Sequence, residues 1–134
     1  MDQALRIRGV LSPVVTPFTR DLRPDPERFI AHCRWLLSQG CGLAVFGTNS
    51  EANSLSVDER IALLDTLLSA GLDPLHMMPG TGCCALTDSV RLTAHAVKAG
   101  CARSGTPLWS AELASARRTL DSVSTDLARR ILWS

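Results

Sequence analysis

Three short apolar runs begin 33 residues apart, and this spacing limits the fold more than any other feature of the chain. They are residues 9–15 (GVLSPVV), 42–47 (GLAVFG) and, more weakly, 75–80 (LHMMPG). Each precedes a stretch with helical period. Runs that are apolar on both faces suit the strands of a parallel sheet covered by helices. The helices are well punctuated. The first is predicted over 26–39: Asp25 can cap it, Pro26 fits the first helical position, and Gly40 fits the exit. Its apolar stripe is Phe29, Cys33, Leu36 and Leu37. The second is predicted over 57–70, where Ser56 and Glu59 match a capping box and Gly71 ends the helix. Ile61, Leu64 and Leu68 carry its stripe. The third is predicted over 88–99, with Thr87 as cap, Val90, Ala94 and Val97 facing inward, and Gly100 at the exit.

Alternating strands and helices at this spacing imply a parallel sheet in an α/β fold. Two architectures compete. A doubly wound sheet usually carries a glycine-rich phosphate loop after its first strand. Here the first strand leads into Thr16-Pro17-Phe18, which is no such loop. A (β/α)8 TIM barrel needs about 250 residues, or roughly 31 per unit. The repeat length fits, but 134 residues hold only the first three βα units. The expectation is therefore a partial (β/α)8 barrel over 1–102 and a divergent tail over 103–134. In the tail a fourth apolar strand is due, yet the text reads Arg103-Ser104-Gly105-Thr106-Pro107. From about residue 111, Leu113, Ala116, Leu120, Val123, Leu127 and Ile131 make an amphipathic helical pattern. It reads either as a tail packed on an exposed barrel edge or as a helix that binds a partner.

A formal charge of +1 gives no reason to expect nucleic acid or an anionic membrane as partner, since either favours a marked basic excess. No apolar run approaches the roughly 18–20 residues that span a bilayer, and the start MDQALRIRGV lacks the apolar core of a signal peptide. The expected location is the cytoplasm. The five cysteines include no CxxC pair, so reduced, mostly buried thiols are expected. His32, His76 and His95 are scattered, and no metal site is expected because ligands must cluster.

Polar residues at the carboxyl ends of barrel strands usually belong to an active site. The second strand ends in Gly47-Thr48-Asn49-Ser50-Glu51. Glycine frees the backbone for close approach to a ligand. Thr48, Asn49 and Ser50 then offer hydroxyl, amide and backbone N–H donors, which suit a small carboxylate. The alternative is a plain polar turn between strand and helix.

Val15-Thr16-Pro17-Phe18 resembles the VTPF segment that closes the first strand in the dihydrodipicolinate synthase / N-acetylneuraminate lyase family. Gly47-Thr48-Asn49-Ser50-Glu51 resembles its GTTGE or GSTGE motif. Leu55-Ser56 with Glu59-Arg60 is similar to its LS-x-x-E-R continuation, and Pro79-Gly80-Thr81-Gly82 to its third-strand glycine motif. Order and spacing agree over 9–101.

The resemblance implies class I aldolase or lyase chemistry without a separate cofactor. A lysine amine forms a Schiff base with pyruvate or another 2-oxo acid, and the iminium serves as electron sink. Two positions after the second strand bind the carboxylate and relay a proton with a tyrosine. By match these are Thr48, for substrate binding and proton relay, and Asn49, for substrate binding. Asn49 replaces the usual threonine and Ser50 the usual glycine. An amide donates to a carboxylate but does not relay a proton as a hydroxyl does.

The chain contains no tyrosine, and its single lysine is Lys98, near the end of the third helix. A Schiff-base lysine needs a depressed pKa, from burial or a neighbouring cation. Lys98 is expected to be solvated on the outside of a barrel. The expectation is a truncated family member, inactive alone, that associates through open sheet edges. The alternative is a non-catalytic interaction module pairing through its C-terminal helix.

Overall fold

A computed structural model of the chain describes residues 9–101. The predicted helix from about 111, and the change of character after Ala102, lie outside these residues.

The first two apolar runs form strands β1 (Leu11–Pro13) and β2 (Gly42–Ala44), paired parallel with Leu11 opposite Gly42 and Pro13 opposite Ala44. The third run continues the sheet on the far side of β2. Met77 lies parallel to Leu43, the Met78 N–H donates to the Leu43 carbonyl at 2.8 Å, and the Gly80 N–H to the Val45 carbonyl at 2.7 Å. It starts two residues later than expected. Pro74–His76 is a single 3-10 turn, capped by Asp73, whose carboxylate accepts from the Leu75 N–H at 2.9 Å. An Asp-Pro start outweighs the apolar character of Leu75.

Each strand runs into a helix: α1 (Pro26–Ser38), α2 (Val57–Ser69) and α3 (Leu86–Lys98). The first two begin as the sequence predicts. Asp25 accepts from the Arg28 N–H at 3.1 Å. Ser56 accepts from the Glu59 N–H at 3.2 Å while Glu59 accepts from the Ser56 N–H at 2.8 Å, a complete capping box. Gly40, Gly71 and Gly100 follow the helix ends with φ of 76°, 82° and 86°, the left-handed turn that glycine allows.

α3 departs from expectation. It starts at Leu86, so Thr87 lies inside the helix and caps nothing, and the residue at the cap, Ala85, has no side-chain hydrogen bond. The Ser89 hydroxyl ties down the entry by accepting from the Cys83 N–H at 2.9 Å. Its inward face is also different. Ser89, Leu92 and Ala96 are buried, whereas Val90, Ala94 and Val97 are exposed. α2 is turned by a smaller amount: Arg60, Leu63, Leu64 and Leu67 are buried, and Ile61 and Leu68 only half-buried.

The helices pack side by side in chain order, α1 on α2 and α2 on α3, with α1 against β2. A doubly wound sheet carries helices on both faces; here they make one continuous layer. The core lies between that layer and the sheet. Val14, Leu43, Val45 and Met77 meet Phe29, Cys33 and Leu36 of α1 and Leu63, Leu64 and Leu67 of α2. The opposite face of the sheet is open, with Pro13 and Val15 exposed and Ala44 half-buried. None of the described helices is long and apolar enough to cross a membrane.

The thiols are less uniformly buried than expected. Cys33 and Cys101 are buried, Cys41 and Cys83 intermediate, and Cys84 exposed. Burial pushes the Cys33 thiol up to about 12 and the Cys101 thiol up to about 11, because low dielectric penalises a thiolate. Both are therefore packing groups rather than nucleophiles.

Candidate functional site

The carboxyl ends of β1, β2 and the third run meet at one pocket on the open face of the sheet. β2 ends abruptly. A continued strand would send Val45 and Phe46 to opposite faces. Instead both are buried in the core, and Phe46 adopts a φ of 58°. Its ring sits 5.8 Å from that of Phe29 on α1. A left-handed conformation at a bulky residue is uncommon and costs roughly 1–2 kcal/mol. Ring packing offsets it, and the chain swings away from the sheet into the loop that starts at Gly47.

Gly80 completes the floor of the corner. A Cβ at this position would stand 2.2 Å from the Phe46 carbonyl oxygen and 3.0 Å from the Gly47 nitrogen. Only glycine lets the third run come this close to the bend after β2. The glycine that the sequence marks at the end of the third run is thus a packing requirement of the second loop.

The loop is made of two short 3-10 turns, Thr48–Ser50 and Ala52–Ser54. Glu51 joins them in the left-handed region, with a φ of 56°. Its carboxylate accepts from the Thr16 N–H at 2.6 Å, and the Thr16 hydroxyl donates to the Ser50 carbonyl at 2.8 Å. Two hydrogen bonds therefore tie the end of the first strand segment to the second loop. Ser50 is fully buried. Its N–H donates to the Gly47 carbonyl at 2.9 Å and its hydroxyl to the Ala44 carbonyl at 3.2 Å. Both its donors are spent inside the protein. Ser50 also lines the pocket formed by Thr48 and Asn49.

Thr48 and Asn49 are exposed, and among the described residues neither side chain makes a hydrogen bond. They line a pocket of about 250 Å³ together with Pro13, Ala44, Met78 and Gly80. The two residues singled out in the sequence thus share one concavity at the strand ends. Its floor is apolar, and a hydroxyl and an amide stand at its rim.

Arg60 supports the corner from behind. It is 5 % exposed, on the inward face of α2. Its guanidinium donates to the Ala52 carbonyl at 2.6 Å and the Gly82 carbonyl at 3.0 Å, bridging the loops after the second and third runs. The sequence carries a signal for it. Arg60 lies at helical spacing with Leu63, Leu64 and Leu67, so it shares their buried face. Phe46 had no such signal, and Glu51 had none beyond its place at the end of the Gly47–Glu51 motif, because left-handed residues in a loop follow no period. Lys98, the last residue of α3, is exposed on the helix layer and lines none of the pocket.

The model of the Dihydrodipicolinate synthetase family matches residues 6–105. An uncharacterized DapA-like lyase of Chloroflexus aurantiacus is 40% identical over 95 residues, covering 69% of this chain and 31% of that protein. The 4-hydroxy-tetrahydrodipicolinate synthase of Rhizobium meliloti is 32% identical over 94 residues, covering 69% of this chain and 32% of that protein. The crystal structure of dihydrodipicolinate synthase from Agrobacterium tumefaciens superimposes with a TM-score of 0.66 at 34% identity, over 69% of this chain and 32% of that one. The chain spans about a third of the length of these relatives.

Proposed function

Because the chain belongs to the dihydrodipicolinate synthetase family, we propose that residues 9–101 are the first three βα units of a (β/α)8 Schiff-base aldolase or lyase, and carry its 2-oxo acid carboxylate corner. The observation that carries this reading is the pocket at the strand ends, with Thr48 and Asn49 at its rim. A carboxylate needs several donors in little space, and charge-assisted hydrogen bonds to it are the strong ones. The Thr48 hydroxyl and the Asn49 amide supply such donors, with Gly47 beside them leaving room for close approach. Of these two residues, Thr48 has the hydroxyl through which a proton can pass. The amide at Asn49 restricts that residue to binding.

The family's reaction forms a carbinolamine and then an iminium between a lysine amine and the 2-oxo carbon, with loss of water. The 134-residue polypeptide has one lysine, Lys98, exposed at the end of α3. It lines none of the pocket at the strand ends, so it is not placed to attack a 2-oxo acid held there. The chain has no tyrosine to continue a relay from Thr48. We therefore assign this polypeptide by itself a binding corner without the catalytic nucleophile.

Incubation with pyruvate and borohydride, followed by intact-mass measurement, tests the reading. An unchanged mass is expected. A reduced pyruvyl adduct on Lys98 would overturn it.

A further inference from the structure

Cys83 and Cys84 are adjacent in the loop between the third run and α3. Neither lines the pocket at the strand ends. Their surroundings set them apart from the other thiols. Cys33 and Cys101 lie in the core, out of reach of a reagent. Cys83 is half-buried and Cys84 exposed. The Arg60 Nη1 donates to the Cys83 Sγ at 3.6 Å. This guanidinium is buried, and among the described residues no carboxylate lies within salt-bridge reach of it. Its other hydrogen bonds go to the neutral carbonyls of Ala52 and Gly82, and its buried Nε has no partner among the described residues. Buried charges are usually paired with an opposite charge. Of the three groups that Arg60 bonds, only the Cys83 sulfur can become negative. The backbone holds that sulfur in place. The Cys83 N–H donates to the Ser89 hydroxyl at 2.9 Å, and the hydroxyl donates to the Cys83 carbonyl at 3.4 Å.

We propose that Cys83 is a modification site, at which a low-molecular-weight disulfide exchanges to form a mixed disulfide, with Arg60 as the positioning residue. The attacking form of a cysteine is its thiolate, which a neighbouring arginine favours. The Cys83 sulfur attacks one sulfur of the small disulfide, and a new S–S bond forms as the old one breaks. Cys83 is oxidised and gives up its proton to water. The departing half is reduced, leaves as a thiolate and takes up a proton. Cys84 is poorly placed to displace the adduct. Adjacent Cα atoms are about 3.8 Å apart, closer than the roughly 4.4 Å lower limit of ordinary disulfides. The adduct therefore lasts until another small thiol exchanges with it.

Incubation of the reduced full chain with oxidised glutathione tests this, with the modified positions followed over time by fragment-ion peptide sequencing. Cys83 should take up one glutathionyl group roughly tenfold faster than Cys84, although Cys84 is the more exposed. In urea the two rates should converge, since Arg60 no longer stands beside one of them. Arg60→Lys keeps a cation and should retain the preference, whereas Arg60→Gln should lose it. Should Arg60→Gln fail to fold, the urea comparison on the unaltered chain still decides. First modification at Cys84 or Cys41, or the same preference in folded and unfolded chain, would overturn the proposal. A bond between Cys83 and Cys84 in place of the mixed disulfide would overturn it too.

Discussion

The second and third strand–helix junctions are built from the same repeat but are held very differently. After β2, the loop is tied to its neighbours on both sides. Glu51 and Ser50 bind Thr16, and Arg60 reaches across to Gly82. Helix α2 starts on a complete capping box and has a helix on each flank. After the third run, α3 starts on Ala85 with no side-chain cap and is flanked by a described helix on one side only. The contrast shows that a repeat unit in such a sheet is completed by the next unit. The polar rim of the pocket, Thr48 and Asn49, sits on the junction that has both its neighbours.

The two junctions should differ most in their long-range ties. Arg60→Leu removes donors from the buried Ala52 carbonyl and the part-buried Gly82 carbonyl, on the loops after the second and third runs. Hydrogen bonds from charged groups are worth about 1.5–3 kcal/mol, so a loss of about 3 kcal/mol in urea unfolding is expected. Arg91→Ala removes the exposed pair between α3 and α2, and should cost about 0.5 kcal/mol or less. Equal losses would mean that the two junctions are not held differently.

A smaller effect tests the helix starts. Ser56→Ala removes the α2 cap and should lower stability by about 1 kcal/mol. Ala85→Ser places a hydroxyl at the α3 cap, where the backbone is already extended with φ −84° and ψ 128°. It should raise stability by up to about 1 kcal/mol. A gain of helix protection in hydrogen exchange confined to α3 would sharpen the contrast, and a loss would contradict it.

Much of the fold was legible in the 33-residue spacing, because strand and helix lengths follow from period and caps. Asp25, Ser56, Glu59 and the exit glycines act as read. The faces were less legible. In α3 the stripe Val90, Ala94 and Val97 is as apolar as an inward face should be, yet it is a flank. Periodicity reports that an apolar surface wants a neighbour, without saying whether that neighbour is the sheet or another helix. The true inward face includes Ser89, a polar residue whose hydroxyl serves the Cys83 backbone. Thr48 and Asn49 were legible as a polar turn at a strand end. Phe46 and Glu51, which shape that turn, were not, because their left-handed conformations depend on a ring contact with Phe29 and a carboxylate contact with Thr16, both distant in sequence.

In the proposed reading, the corner at Thr48 and Asn49 recognises the carboxylate of a 2-oxo acid. Titration of the 15N-labelled chain with pyruvate measures this residue by residue. Saturable shifts are expected in the amide signals of Gly47, Thr48 and Asn49, weakened by Asn49→Ala. Unmoved signals at these three residues, with shifts elsewhere or none, would contradict it.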